Sequence, residues 1–119
     1  MNRLLIFLAV FASAALASDI TGSWKATAPG PNGPMERTFI FQVAGDDLTG
    51  QTTSSVLGTS AIENGKIDGD SLTFTITVML QNRETKLIYR GRVAGEVIRL
   101  TADTPGGGPK VQWTARRVS

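Results

Sequence analysis

The chain reads as an all-β domain, an eight-stranded antiparallel up-and-down barrel with almost no helix. Three observations predict this class. Leu72, Phe74, Ile76, Val78 and Leu80 alternate with Ser71, Thr73, Thr75, Thr77 and Met79, a period of two that puts one strand face in a core and the other in water. No comparable run repeats its apolar residues every 3.6 positions, as an amphipathic helix would. The segments are also too close together for crossover helices, so strands adjacent in sequence are expected to pair antiparallel. Closing such a sheet removes its two exposed edges.

The first element stands outside the barrel. Met1-Asn2-Arg3 gives a short positive start, Leu4 to Ala14 is nearly all apolar, and Ala15-Leu16-Ala17 has a small-x-small cleavage pattern, so residues 1–17 read as a secretory signal peptide. The apolar run is short for a bilayer and no basic stop follows it, so no membrane span is expected. Cleavage after Ala17 takes 17 of the 119 residues and leaves 102, residues 18–119, enough for one domain. Loss of Arg3 from the 12 basic side chains leaves 11 against 10 acidic ones, a net charge of +1. That balance argues against a nucleic-acid partner. The absence of cysteine means that core packing replaces disulfides in an oxidising compartment, and it removes a bacterial lipid-attachment residue. The expected location is periplasmic or secreted.

Strands are expected at about 21–28, 36–44, 48–56, 60–67, 71–80, 85–93, 96–103 and 110–118. In the second, Phe39, Phe41 and Val43 face inward and pair with Thr52, Gly50 and Leu48 of the third. The fourth is interrupted by Glu63-Asn64-Gly65, which suits either a bulge that re-aims the strand or a hairpin tip. Between the fifth and sixth, a connection over Gln81 to Glu84 would set Leu80 against Thr85, Val78 against Leu87, Ile76 against Tyr89 and Phe74 against Gly91 inside. Outside, Thr75 would face Arg90 and Thr77 would face Ile88. A tip at Ala94-Gly95 would set Gly91 against Ile98, Tyr89 against Leu100, Arg90 against Arg99 and Lys86 against Asp103. Across the last connection Leu100 faces Trp113 and Ile98 faces Ala115.

Lys66-Ile67-Asp68-Gly69-Asp70-Ser71-Leu72-Thr73-Phe74 has echoes at Val43 to Gly50 and Val93 to Leu100. In a meander these three glycine-bearing connections fall at one end, as short joints whose tips need positive φ. Two carboxylates on a tight reversal fall short of the six to eight oxygens of calcium, and no metal site is expected. The other end receives Pro29 to Met35, Leu57 to Thr59, Gln81 to Glu84 and Thr104 to Pro109. Those loops, richer in glycine and proline, are where a ligand would enter.

Ile20-Thr21-Gly22-Ser23-Trp24, followed by Gly45-Asp46-Asp47-Leu48-Thr49-Gly50, resembles the opening of the avidin and streptavidin family, and Gly22-x-Trp24 is similar to the start of lipocalins. The resemblance covers about 30 residues and implies a calycin-like barrel. Biotin chemistry does not follow, because Ala26 stands where the asparagine after the tryptophan would be and Gln51-Thr52 where a tyrosine would be. Similarity to lipocalins implies that an arginine late in the last strand covers the first-strand tryptophan, which points to Arg117 over Trp24, with Glu96 beside it at a structural closed end.

Without histidine or cysteine the chain lacks the commonest general base, zinc ligand and thiol nucleophile. Glu63, Glu84, Glu96 and Asp103 fall at strand ends and rims, so no catalytic pair is expected, and no cofactor. Two non-catalytic functions remain. Small residues at Ala26, Gly50, Thr52, Gly91, Ala102 and Ala115 leave interior space that aromatic side chains either fill or line. In the second case Phe39, Phe41, Thr52, Phe74, Ile76, Tyr89 and Trp113 would contact a small apolar or amphipathic molecule. Alternatively Lys86, Arg90, Arg92, Arg99 and Arg116, on the outer faces of the sixth to eighth strands, would make an interaction face for an acidic polymer, an anionic surface or a second subunit in a homodimer.

Overall fold

The computed structural model of the chain describes residues 19–104, 106, 108 and 110–118. The expected signal peptide, 1–17, and residues 105, 107 and 109 of the last long loop lie outside them. The elements are β1 (Gly22–Ala28), β2 (Met35–Ala44), β3 (Asp47–Ser54), β4 (Gly58–Ala61), β5 (Glu63–Asp68), β6 (Ser71–Leu80), β7 (Arg83–Ala94), β8 (Val97–Asp103) and β9 (Val111–Arg117). Sheet order runs β2-β1-β9-β8-β7-β6-β5-β3-β4, and β2 also pairs with β3, so the sheet closes on itself.

Nine segments make eight staves because β4 and β5 are two halves of one bent strand. Both pair with β3, and Ile62 between them donates its backbone N–H to Gly50 O at 2.9 Å. The register against β6 shifts between Glu63 and Lys66, and Asn64 sits at φ 54°. This is the bulge alternative, and it bends the strand where the barrel must curve.

The β2–β3 and β8–β9 registers are those read from the alternation. Two others differ by two residues. Leu80 pairs with Arg83, Val78 with Thr85, Ile76 with Leu87, Phe74 with Tyr89 and Leu72 with Gly91, while Thr75 faces Ile88 and Thr73 faces Arg90. The cause is a two-residue tip, Gln81-Asn82, with both residues at positive φ, 53° and 63°. That conformation matches strand twist without a four-residue loop. Likewise Ala94 pairs with Val97, so the tip is Gly95-Glu96; Gly91 meets Leu100, Tyr89 meets Ala102 and Arg92 meets Arg99. The three echoed turns share one geometry, with Gly45, Gly69 and Gly95 as first tip residues at φ 60–65°. A two-residue tip with positive φ only at its first position asks for glycine there. A slip of two preserves which face points inward, so the inner set is unaffected.

The interior is aromatic at its centre. Phe39 and Phe41 stack at 5.3 Å, Phe74 and Tyr89 stack at 4.9 Å, and the two pairs meet edge to face at 5.7 Å. Gly91 does not make room for Phe74, as expected, but for Leu100: a methyl group there would lie 2.5 Å from Leu100 Cδ2.

Candidate functional site

The two ends of the barrel differ in construction. At the closed end Ile20 is fully buried and accepts a hydrogen bond at its carbonyl from Trp24 Nε1, 2.9 Å away. The Arg117 guanidinium lies 4.6 Å over the Trp24 ring. Its Nε meets Glu96 Oε1 at 2.9 Å, and its two terminal nitrogens donate to Thr21 O at 2.9 Å and Asp19 O at 3.1 Å. One planar fork thus holds the entering segment against the last strand. Asp19 accepts from the Thr21 backbone N–H at 3.1 Å, and hydrogen bonding from Thr21 holds its carboxyl below the ordinary value. Trp24, Arg117 and Glu96 come together here, and their contacts are with the chain itself.

At the other end a cleft of about 630 Å³ opens. Its walls are Pro31 to Met35 on one side and Ser54 to Leu57 on the other, with Leu80 between. Val56, 86% exposed, marks the rim; Trp113 and Arg37, 7% and 4% exposed, form the floor. The cleft thus opens between two of the expected entrance segments, at Pro31 to Met35 and at Leu57, and Trp113 of β9 lines it; Thr104 to Pro109, a further expected segment, includes residues 105, 107 and 109, which lie outside the described residues.

Of the seven side chains expected to touch a ligand, Trp113 lines this cleft. Phe39, Phe41, Phe74, Ile76 and Tyr89 are at most 1% exposed, and the four aromatic ones pack on one another. Burial raises the Tyr89 phenol above its usual value, with the positive charge of Arg37 acting in the opposite direction. Thr52 is fully buried and does reach the floor, accepting from Arg37 Nη1 at 3.2 Å and donating to Thr38 O at 3.0 Å.

Arg37 is the residue that sequence reasoning missed. A cation reads as an outward group, yet Arg37 is in phase with Phe39 and Phe41, and β2 buries all three. Its cross-strand neighbour on the inner face is Ala26, whose methyl leaves room for a guanidinium. The group lies 5.9 Å from the Trp113 ring centroid. Its Nε and Trp113 Nε1 are both buried without a hydrogen-bond partner among the described residues.

The outer wall of β7 to β9 carries the five expected cations, all exposed. Arg90 pairs with Asp103 at 2.9 Å and Lys86 with Glu63 at 3.7 Å. Asp103 therefore serves Arg90 rather than Lys86, and the like-charged cross-strand pair is Arg92 with Arg99 rather than Arg90 with Arg99. Both changes follow from the two-residue slip. Arg116 lies opposite Val97 and Lys25. Among the described residues no group of three or more acidic side chains is arranged to hold a metal ion, and no helix is long and apolar enough to cross a membrane. Comparison with protein-family models, with curated proteins and with solved structures gives no significant match to the chain.

Proposed function

We propose that the chain is an exported, non-catalytic, calycin-like barrel that binds one small amphipathic molecule in the cleft at its long-loop end. The observation that carries this reading is the cleft itself: an opening of about 630 Å³ with an indole in its floor and Val56, Leu57, Leu80 and Met35 along its sides. Small-molecule sites commonly occupy ~300–1,000 Å³, with apolar walls and a few polar groups that orient the ligand. Val56 held in water at the rim costs apolar hydration that a bound molecule would relieve. The eight staves supply a rigid frame, and the loops joining β1 to β2 and β3 to β4 supply the variable walls.

The alternative, an assembly module acting through the basic wall, has less support because Arg90 and Lys86 already have carboxylate partners. Titration of the mature chain with 1-anilinonaphthalene-8-sulfonate tests the binding function. A saturable rise in probe fluorescence, weakened at least about 10-fold by Leu57→Asp in a variant whose circular dichroism shows it folded at the assay temperature, is the expected result; one CH2-scale loss at a time does not reach that, but a buried charge does. No saturable binding, or binding indifferent to Leu57, refutes it.

A further inference from the structure

We infer that the ligand carries a carboxylate, bound head-down between Arg37 and Trp113; this deepens the proposed binding function and rests on it. The floor of the cleft holds a cation that the fold leaves incompletely matched. A guanidinium stays charged at any ordinary pH, and removing it from water is costly unless it is paired. All ten aspartates and glutamates of the chain lie among the described residues, and none of them forms an ion pair with Arg37 there. What Arg37 does have is one neutral acceptor, Thr52 Oγ1 at 3.2 Å, and the face of Trp113 at 5.9 Å.

Two donors remain idle. Arg37 Nε and Trp113 Nε1 are buried without acceptors among the described residues, and both side chains line the same cleft. Packing alone would be met by an aliphatic residue at position 37, in phase with Phe39 and Phe41 above Ala26. A carboxylate supplies what is missing: one negative charge, two acceptor oxygens and no donor. It would take one N–H from the guanidinium and one from the indole, with charge-assisted hydrogen bonds stronger than those of a neutral head. The apolar body would then run outward past Leu57 and Leu80 toward Val56.

The test compares decanoate with decanol at pH 7.5 by isothermal titration of the mature chain, then repeats both with Arg37→Met. Decanoate is expected to bind roughly 10- to 100-fold more tightly than decanol, and Arg37→Met to level the two. Trp113→Phe, which keeps an aromatic floor and removes the Nε1 donor, should shrink the preference without reversing it. Equal binding of decanoate and decanol by the native chain overturns the carboxylate inference and leaves the binding function standing. Binding of neither overturns both. Should Arg37→Met fail to fold, Arg37→Lys, which retains charge and lacks the Nε donor, decides: an undiminished decanoate preference would show that charge alone, rather than the paired N–H geometry, selects the head.

Discussion

Arg117→Ala should destabilise the barrel by about 2–4 kcal/mol. The side chain is 25% exposed, and what it loses can be taken contact by contact. Its ion pair with Glu96, itself 73% exposed, contributes ~0–1 kcal/mol because water screens it. The stack on Trp24 at 4.6 Å contributes about 0.5–2 kcal/mol. The bonds to Thr21 O and Asp19 O are charge-assisted, about 1.5–3 kcal/mol each for fully buried groups, but water can reach these carbonyls once the arginine is gone, so only part of that is lost. For a domain of this size the sum corresponds to a melting temperature lower by about 10–20 °C. Urea unfolding followed by tryptophan fluorescence measures it, with Glu96→Gln as the internal comparison at no more than about 1 kcal/mol. If Arg117→Ala costs less than 1 kcal/mol, or no more than Glu96→Gln, the fork is ornamental and the closed end is held by apolar packing alone.

Two further outcomes follow from burial and packing. Tyr89 is the only tyrosine and its phenol is raised by burial, so the unfolded chain gives up this proton first: stability is full below about pH 10 and falls as pH rises beyond it. Absorbance near 295 nm and circular dichroism should therefore change together, and a reversible phenol titration near pH 10 with the fold intact would contradict the assignment. Gly91→Ala would place a methyl 2.5 Å from Leu100 Cδ2 and 2.9 Å from Arg99 O; overpacking against a backbone atom should cost about 1–3 kcal/mol by chemical denaturation, and a neutral effect would mean that β7 and β8 can part locally.

Much of this architecture was legible because a barrel repeats one simple rule. Inward residues of β6 alternate without interruption, and Phe39, Phe41 and Val43 took their partners in β3 from the same rule. Register across β6–β7 and β7–β8 was not legible to the same degree. It depends on which two residues form the tip, and Gln81-Asn82 adopts positive φ without the glycine that usually announces it. Because each slip was two residues, faces survived while partners changed, which is why the core was readable and the ion pairs outside it were not. At the closed end the meeting of Arg117 with Trp24 is what the resemblance to lipocalins implies, and phase with Trp113 and Ala115 selects Arg117 over its neighbour Arg116. At the open end the polarity of Arg37 points outward and its phase points inward; the signal is a cation in step with Phe39 and Phe41 on the buried face of β2.

The seam between β1 and β9 has a consequence for how the molecule is made. Trp24 to Thr27 pair with Arg117 to Thr114, and Arg117 binds carbonyls 96 and 98 residues earlier. Every other joint in the ring links strands that follow one another in the chain, apart from the short contact that β3 makes beyond β4. Hairpins can therefore form early and locally, whereas the last step brings the two extremes of the domain together against the full entropy of loop closure. Such topologies fold in milliseconds to seconds rather than microseconds. Until that moment β1 and β9 are open edges able to pair with another chain, so the arginine fork acts as a clasp whose closing ends the molecule's period of greatest exposure to aggregation.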